Sequence, residues 1–337
     1  TLHAILATGA GQGTTAAPGF VTGPFGTSIV TTPLFLRITV AAVTYDVIYL
    51  YALNAAVPQM ELHAICATTV NPSCAGGPGT SFLGWEAANP VVFGIAGATG
   101  APTSNPTLAR VGTTDVIFVG APGASSGVWA RRADDGTAFL PSNGGNVVTP
   151  FEVLTTPAFA TVNIPASTPV LVFADADSVV DTIPGTIYVF RADNAALICS
   201  VSPASADYGF FSSPAIAVAG GVPTAYIGET ADNTPPPGSS LHAIRLSPPY
   251  PGGACSVLWS APTAHVLTSS PAVSVPANTV YLGAADGNLY AFGATSGAWL
   301  WSFASPGLSS FDWSSPALVS GSPGHVVIGN NDGNIYA

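Results

Sequence analysis

Three carboxylates fall close together in the stretch Asp175-Ala176-Asp177-Ser178-Val179-Val180-Asp181. Acidic residues at such spacing can gather oxygen ligands, so Asp175, Asp177 and Asp181 are the calcium candidates of this chain. The stretch lacks the central glycine and the closing glutamate of a helix–loop–helix calcium loop, and a solvated loop is the competing reading. Three of the five histidines, His3, His63 and His242, stand in the same four-residue context, Leu-His-Ala-Ile. One imidazole at the same place in separate repeats does not converge on one ion, so a structural role is expected and no metal site is assigned to them. No serine is framed by a nucleophile elbow. The glycine-rich Gly9–Gly13 run opens no helix after a strand and reads as a turn rather than a phosphate cradle. No catalytic or cofactor-binding residue is assigned, and the chain is read as not an enzyme.

The remaining reactive side chains are four cysteines. Cys66 and Cys74 flank a short loop and are expected to form a local disulfide. Cys199 (Ile-Cys-Ser-Val) and Cys255 (Ala-Cys-Ser-Val) look like matching positions of two repeats. Matching positions of neighbouring blades are expected to lie farther apart than the ~7 Å limit on Cα separation for a disulfide. They are read as buried thiols or as partners in another pairing. An oxidising, extracellular or cell-surface setting is expected, reached after removal of a leader, since the chain opens at Thr1.

Composition narrows the partners. The 337 residues carry a formal charge of −11, with only 7% charged residues, and every cation is an arginine. Nucleic acid binding needs clustered cations, which this chain lacks. No apolar run reaches the ~18 residues of a membrane helix, and the most apolar segment, 40–56, reads as strands. A surface so poor in charge suits packing against other subunits.

The elements that would position any site are strands. Residues 269–303 contain four of them: around Val273, Thr279 to Gly283, Asn288 to Phe292, and Ala298 to Phe303, with Asp286-Gly287 supplying the hairpin turn. The unit recurs. A Ser/Thr/Asn-Pro opening stands at Pro33, Pro106, Pro157, Pro214, Pro271 and Pro316, 45 to 73 residues apart. A third-strand signature recurs at Leu2-His3-Ala4-Ile5, Leu62-His63-Ala64-Ile65, Val128-Trp129-Ala130, Ile187-Tyr188-Val189-Phe190, Leu241-His242-Ala243-Ile244, Leu289-Tyr290-Ala291-Phe292 and Ile335-Tyr336-Ala337. A four-stranded repeat of this length cannot bury both faces alone and must stack. The expectation is an all-β propeller of four-stranded antiparallel blades, six blades with seven as the alternative, over residues 1–337 as a single domain. Full units are placed at 33–86, with Trp85 on the fourth strand, and at 106–140, 157–201, 214–259 and 271–303. Trp259, Trp299 and Trp301 fall at the same fourth-strand place and are expected to pack between blades.

The stretch Val280-Tyr281-Leu282-Gly283-Ala284-Ala285-Asp286-Gly287-Asn288-Leu289-Tyr290-Ala291, followed by a glycine turn and Trp299-Leu300-Trp301, resembles the pyrroloquinoline-quinone-like (PQQ-like) propeller repeat. The resemblance is strong over 204–337 and weaker over the rest. It implies the fold rather than an activity. The quinoprotein dehydrogenases of that kind carry eight blades, a vicinal cysteine pair and a calcium site, none of which can be matched here.

The last unit, from Pro316, supplies only three strands. Thr14–Val21 can provide a fourth, so closure is expected to involve both termini. Residues 1–8 are then a spare third strand, and Thr1, Leu2, His3, Ala4, Ile5 and Leu6 form a candidate assembly strand. The function expected is a non-catalytic extracellular scaffold that self-associates into an oligomer or filament. The alternative is a monomeric secreted propeller that binds a protein or glycan.

Overall fold

The computed structural model describes residues 3–5, 16–21, 31–40, 42–54, 59–67, 82, 85, 90–93, 104–121, 126–141, 145–164, 166–176, 184–203, 208–231, 239–263, 265, 267–311, 313–320 and 324–337. They fall into two compact units, Thr1–Val148 and Thr149–Ala337. Regular structure is almost wholly strand.

The first unit opens with β1 (His3–Ile5) and β2 (Ala16–Val21), paired antiparallel as a two-stranded sheet. Two four-stranded antiparallel sheets follow, β3 (Leu34–Val40), β4 (Val43–Asn54), β5 (Gln59–Cys66) and β6 (Val91–Phe93), then β7 (Thr107–Val111), β8 (Thr114–Ala121), β9 (Gly127–Arg132) and β10 (Asn146–Val148). In both, the fourth strand lies farther along the chain than the sequence suggests. Val91 pairs with Leu62, so the outer strand is the short apolar run beyond Trp85, and Trp85 itself is buried outside any strand. In the second sheet Asn146 pairs with Trp129, beyond Leu140.

The second unit holds β11 (Ala158–Ile164), β12 (Ala166–Ala174), β13 (Ile187–Arg191) and β14 (Leu197–Val201) as one sheet. The next sheet is β16 (Ala215–Ala219), β17 (Val222–Gly228), β19 (Ser240–Arg245) and β20 (Val257–Pro262), accompanied by a small ladder of β15 (Tyr208–Gly209) with β18 (Thr230–Ala231). Then come β21 (Ala272–Ser274), β22 (Thr279–Gly283), β23 (Asn288–Gly293) and β24 (Trp299–Ala304). The last sheet has three strands, β25 (Ala317–Val319), β26 (His325–Gly329) and β27 (Ile335–Tyr336). Each sheet is a meander, and the six together are the six expected blades. The described pairing of Ala16–Val21 is with His3–Ile5, so β2 joins β1 rather than standing as a lone outer strand.

The recurrent Ser-Ser-Pro opening has a physical explanation. Its first hydroxyl accepts the N–H of the glycine that ends the second strand: Ser212 from Gly228 at 3.1 Å, Ser269 from Gly283 at 3.2 Å, Ser314 from Gly329 at 3.0 Å. Ser104 does the same for Gly120 at 2.8 Å in the first unit. Its second hydroxyl accepts a backbone N–H from the opening of the preceding sheet. Thr156 donates to Ser213 at 2.8 Å, Ser213 to Ser270 at 3.0 Å and Ser270 to Ser315 at 3.0 Å. In the first unit Thr32 donates to the Asn105 carbonyl oxygen at 2.6 Å. A Cβ on Gly283 would come within 2.8 Å of the Phe311 Cβ, so the strand end admits only glycine.

The disulfide of the second unit departs from expectation. Cys199 and Cys255 are bonded, with Cα atoms 5.0 Å apart. The two are not equivalent residues. Cys199 lies on β14 opposite Val189, whereas the residue of the next sheet in that register is Trp259, opposite Ala243. Cys255 precedes β20, at the end of a long connection from β19 that returns to β14. There its N–H donates to the Ser200 carbonyl, and Ser200 bridges Ala254 in parallel. Cys66 is buried and disulfide-bonded; Cys74 lies outside the described residues.

Candidate functional site

Each blade of the second unit holds an acid against the aromatic residue of its third strand. Asp286 accepts the Asn288 N–H at 3.0 Å and the Tyr290 hydroxyl at 2.5 Å. Asp332 accepts the Asn334 N–H at 2.9 Å and the Tyr336 hydroxyl at 2.6 Å. The hydrogen bond from Tyr336 holds the Asp332 carboxyl below its ordinary range and raises the phenol.

This clamp accounts for two groups of residues singled out by sequence. Asp175 accepts the Thr186 N–H at 2.6 Å and the Tyr188 hydroxyl at 3.1 Å, so it is the counterpart of Asp286 with an insertion between the partners. Burial pushes its carboxyl up to about 6, although the bonds from Thr186 and Tyr188 oppose that shift. Asp177 and Asp181 lie outside the described residues, and among the described residues no cluster of metal-ligating side chains forms. His242 takes the tyrosine position with a longer acid opposite. Its Nε2 lies 3.0 Å from Glu229 and its Nδ1 2.8 Å from the Ser260 hydroxyl. His63 meets Glu61 at 3.0 Å, and burial lowers its pKa against the pull of that carboxylate. Of the candidate assembly strand, His3, Ala4 and Ile5 form β1, while Thr1, Leu2 and Leu6 lie outside the described residues.

A second recurrent device joins successive sheets. The Tyr49 hydroxyl (2.7 Å) and the Trp85 indole N–H (2.9 Å) both donate to the Ala133 carbonyl of the next sheet. Below them lies Gly136, at φ +70°, where a Cβ would stand 2.9 Å from the Trp85 ring. The second unit repeats this. The Tyr226 hydroxyl (3.0 Å) and the Trp259 N–H (3.1 Å) both donate to the Ala294 carbonyl, with Gly297 (φ +68°) under the indole. Cys199 occupies the tryptophan position of its own sheet, so the disulfide stands at that seam instead.

The third such pair is open. Tyr281 and Trp301 pack with ring centroids 5.8 Å apart, in the same cross-strand register as Tyr226 and Trp259. No acceptor faces them among the described residues. Instead they line a groove of about 350 Å³ with Leu289, Phe303, His325, Val326 and Tyr336. Every residue of β24 is exposed, including Trp299 at 62% and Trp301 at 41%, and Ile335 on β27 is 76% exposed. Trp299 therefore does not pack between blades as expected. Covering such side chains is worth on the order of 2 kcal/mol each. Among the described residues the last sheet holds three strands, and the groove lies between it and β24. The donor pair has meaning only beside its two docked counterparts in space.

No protein-family model and no curated protein matches the chain. Solved structures do. The Dos1 propeller superimposes with a TM-score of 0.53 at 11% identity, over 86% of this chain and 63% of that one. A quinohemoprotein alcohol dehydrogenase, ADHIIG from Pseudomonas putida HK5, gives a TM-score of 0.53 at 13% identity, over 87% of this chain and 55% of that one. BamB from Moraxella catarrhalis gives 0.37 at 16% identity, over 68% of this chain and 56% of that one. The chain thus spans between about half and two thirds of the length of these structures. At such identities the likeness concerns fold alone, and the fold is a β-propeller.

Proposed function

We propose that this protein is a non-catalytic β-propeller scaffold that works outside the cell or at its surface, as the self-associating subunit of an oligomer or filament. The observation that carries this reading is the apolar surface of β24 and the groove beside it. The groove is floored by Tyr281, Trp301 and Phe303, and β24 next to it is exposed along its whole length. A partner surface laid here would cover Trp299, Leu300 and Trp301, and the groove would supply side-chain selectivity. A head-to-tail contact of this type extends into a filament when its rotation does not close a ring. The low charge of the chain agrees with surfaces that pack on one another. The Cys199–Cys255 disulfide is compatible with a secreted or periplasmic setting, and among the described residues no helix is long and apolar enough to cross a membrane.

Negative-stain electron microscopy and mass photometry of the purified protein test the reading. Regular multimers that form as concentration rises are expected; particles of a single chain at every concentration would sink it. In that event the monomeric alternative gains. Its support is the exposed indoles of Trp299 and Trp313, which offer flat faces for a glycan.

A further inference from the structure

We infer that Ser260 is an acyl-acceptor serine, whose hydroxyl takes one acyl group from an activated ester, with His242 as the base and Glu229 holding its ring. The inference is independent of the self-association proposed above. It starts from three successive sheets. Each has a serine on its outer strand directly opposite the clamp residue of the third strand: Ser200 faces Tyr188, Ser260 faces His242 and Ser302 faces Tyr290. In two of them that residue is a phenol that already donates to an acid, Asp175 or Asp286, and burial raises both phenols. A phenol held in this way has no basic nitrogen to take a proton from the serine. Of the three sheets, only the middle one puts an imidazole there.

Local geometry makes that imidazole a base aimed at the serine. The Glu229 N–H donates to the Ser240 carbonyl as the Ala284 N–H does to that of Asn288, so a glutamate stands where the next sheet has alanine, and its side chain reaches the third strand. Glu229 and His242 are both buried, and Nε2 lies 3.0 Å from the carboxylate. A carboxylate only accepts, so Nε2 carries the ring proton and Nδ1 keeps its lone pair. The Ser260 hydroxyl, 2.8 Å away, donates to Nδ1. Ser260 itself is exposed. Acid and base are shielded from water while the hydroxyl is open to it, which is how a weak nucleophile is activated. The backbone adds a donor. The Thr263 N–H bonds the Ser239 carbonyl, so the His242–Ser260 pair falls between bonded pairs, and the Ser260 N–H points off the outer edge of β20. There it can meet the oxygen of a tetrahedral adduct. In the step, the Ser260 Oγ bonds the carbonyl carbon and its proton passes to Nδ1. The carbonyl–oxygen bond to the leaving group then breaks, and the proton passes on to the departing oxygen. An ester on Ser260 and the free alcohol or phenol remain.

p-Nitrophenyl acetate, an activated aryl ester, tests the assignment on the full-length protein, with acetylated peptides located by mass spectrometry. Ser260 is expected to be modified roughly a hundredfold faster than Ser200 or Ser302, which share its register. Equal modification of the three serines, or acetyl groups confined to histidine, would overturn the inference. His242→Tyr restores the residue of the neighbouring sheets, with the fold checked by circular dichroism. Ser260 should then react at the rate of Ser302, and an unchanged rate would count against the base. If that variant does not fold, the comparison of the three serines within the wild-type chain still decides. Glu229 acts through the ring, so its readout is the tautomer. Nitrogen-15 NMR should show His242 protonated on Nε2 in the wild type and a mixture of tautomers in Glu229→Leu; an Nδ1-protonated ring in the wild type would remove the base. Failure of acetylation sinks this site and leaves the scaffold reading standing, since multimers are scored separately.

Discussion

The Tyr226 hydroxyl and the Trp259 indole N–H, from strands β17 and β20 that flank β19 in one sheet, meet on one oxygen, the carbonyl of Ala294. A carbonyl has two lone pairs, so both bonds form together, and either alone keeps the buried oxygen satisfied. The rings that carry the donors pack with centroids 5.8 Å apart. Polar and apolar contributions to this seam therefore come from the same two side chains.

The shared acceptor makes the two residues non-additive. Tyr226→Phe in the wild-type background should cost about 0.5–1 kcal/mol, because the indole still serves the carbonyl. In a Trp259→Phe background the same change should cost about 2–3 kcal/mol, because the oxygen is then left without a donor. Urea unfolding of the four chains measures both values. Equal costs in the two backgrounds would show that the shared carbonyl does not couple them.

Asp175 should make stability depend on pH between about 4 and 6. Its folded pKa of about 6 lies above the ordinary 3.8 because the carboxyl is buried. The folded protein then holds this proton more tightly than the unfolded chain. The contribution is complete below about pH 4 and is lost as pH rises through about 6. At pH 7 the ionised group costs on the order of 3 kcal/mol. Asp175→Asn, which keeps an acceptor for the Thr186 N–H, should raise the Tm at pH 7 and flatten its fall between about pH 4 and 6. A parallel pH profile in wild type and variant would exclude Asp175 as the source.

The Cys199–Cys255 bond closes a loop with a sequence separation of 56. By chain entropy alone, a loop of that size is worth about 4 kcal/mol. A Cys199→Ala/Cys255→Ala chain should therefore melt several degrees lower, and hydrogen exchange should quicken first in β14 and in residues 246–256. An unchanged Tm would mean that the hydrogen bond from Cys255 N–H to Ser200 holds the seam unaided.

Periodic features were legible before any coordinates. Ser-Ser-Pro, Asp-Gly-Asn and the apolar–aromatic–alanine triplet each repeat because each meets the same local demand in the sheets that carry it. Features that depend on a long connection were not. The Cys255 segment resembles the Cys199 segment as a string, yet the connection from β19 carries it back across β14, so string similarity suggested two equivalent sites where there is one bond. As a string Asp175 reads as a calcium candidate or a solvated loop acid, because ten residues separate it from its partner Thr186, whereas only one separates Asp286 from Asn288. Trp85 was placed on a strand because tryptophans of later repeats are; its indole reaches the Ala133 carbonyl from outside the ladder. The docking pair Tyr281–Trp301 had no signature of its own, since its meaning comes from comparison with two pairs distant in sequence.

The hydroxyl of Ser270 takes an N–H from Ser213, and the N–H of Ser270 is taken by Ser315. Donor and acceptor thus sit on the same residue at the start of each unit. A gene segment that runs from one such serine codon to the next carries both halves of the link. Copied in tandem, it would supply the acceptor its upstream neighbour needs and the donor its downstream neighbour expects, with no compensating change elsewhere. Chains of this kind can lengthen by duplication of whole units, and the permitted breakpoints lie at the serines rather than in the turns between strands.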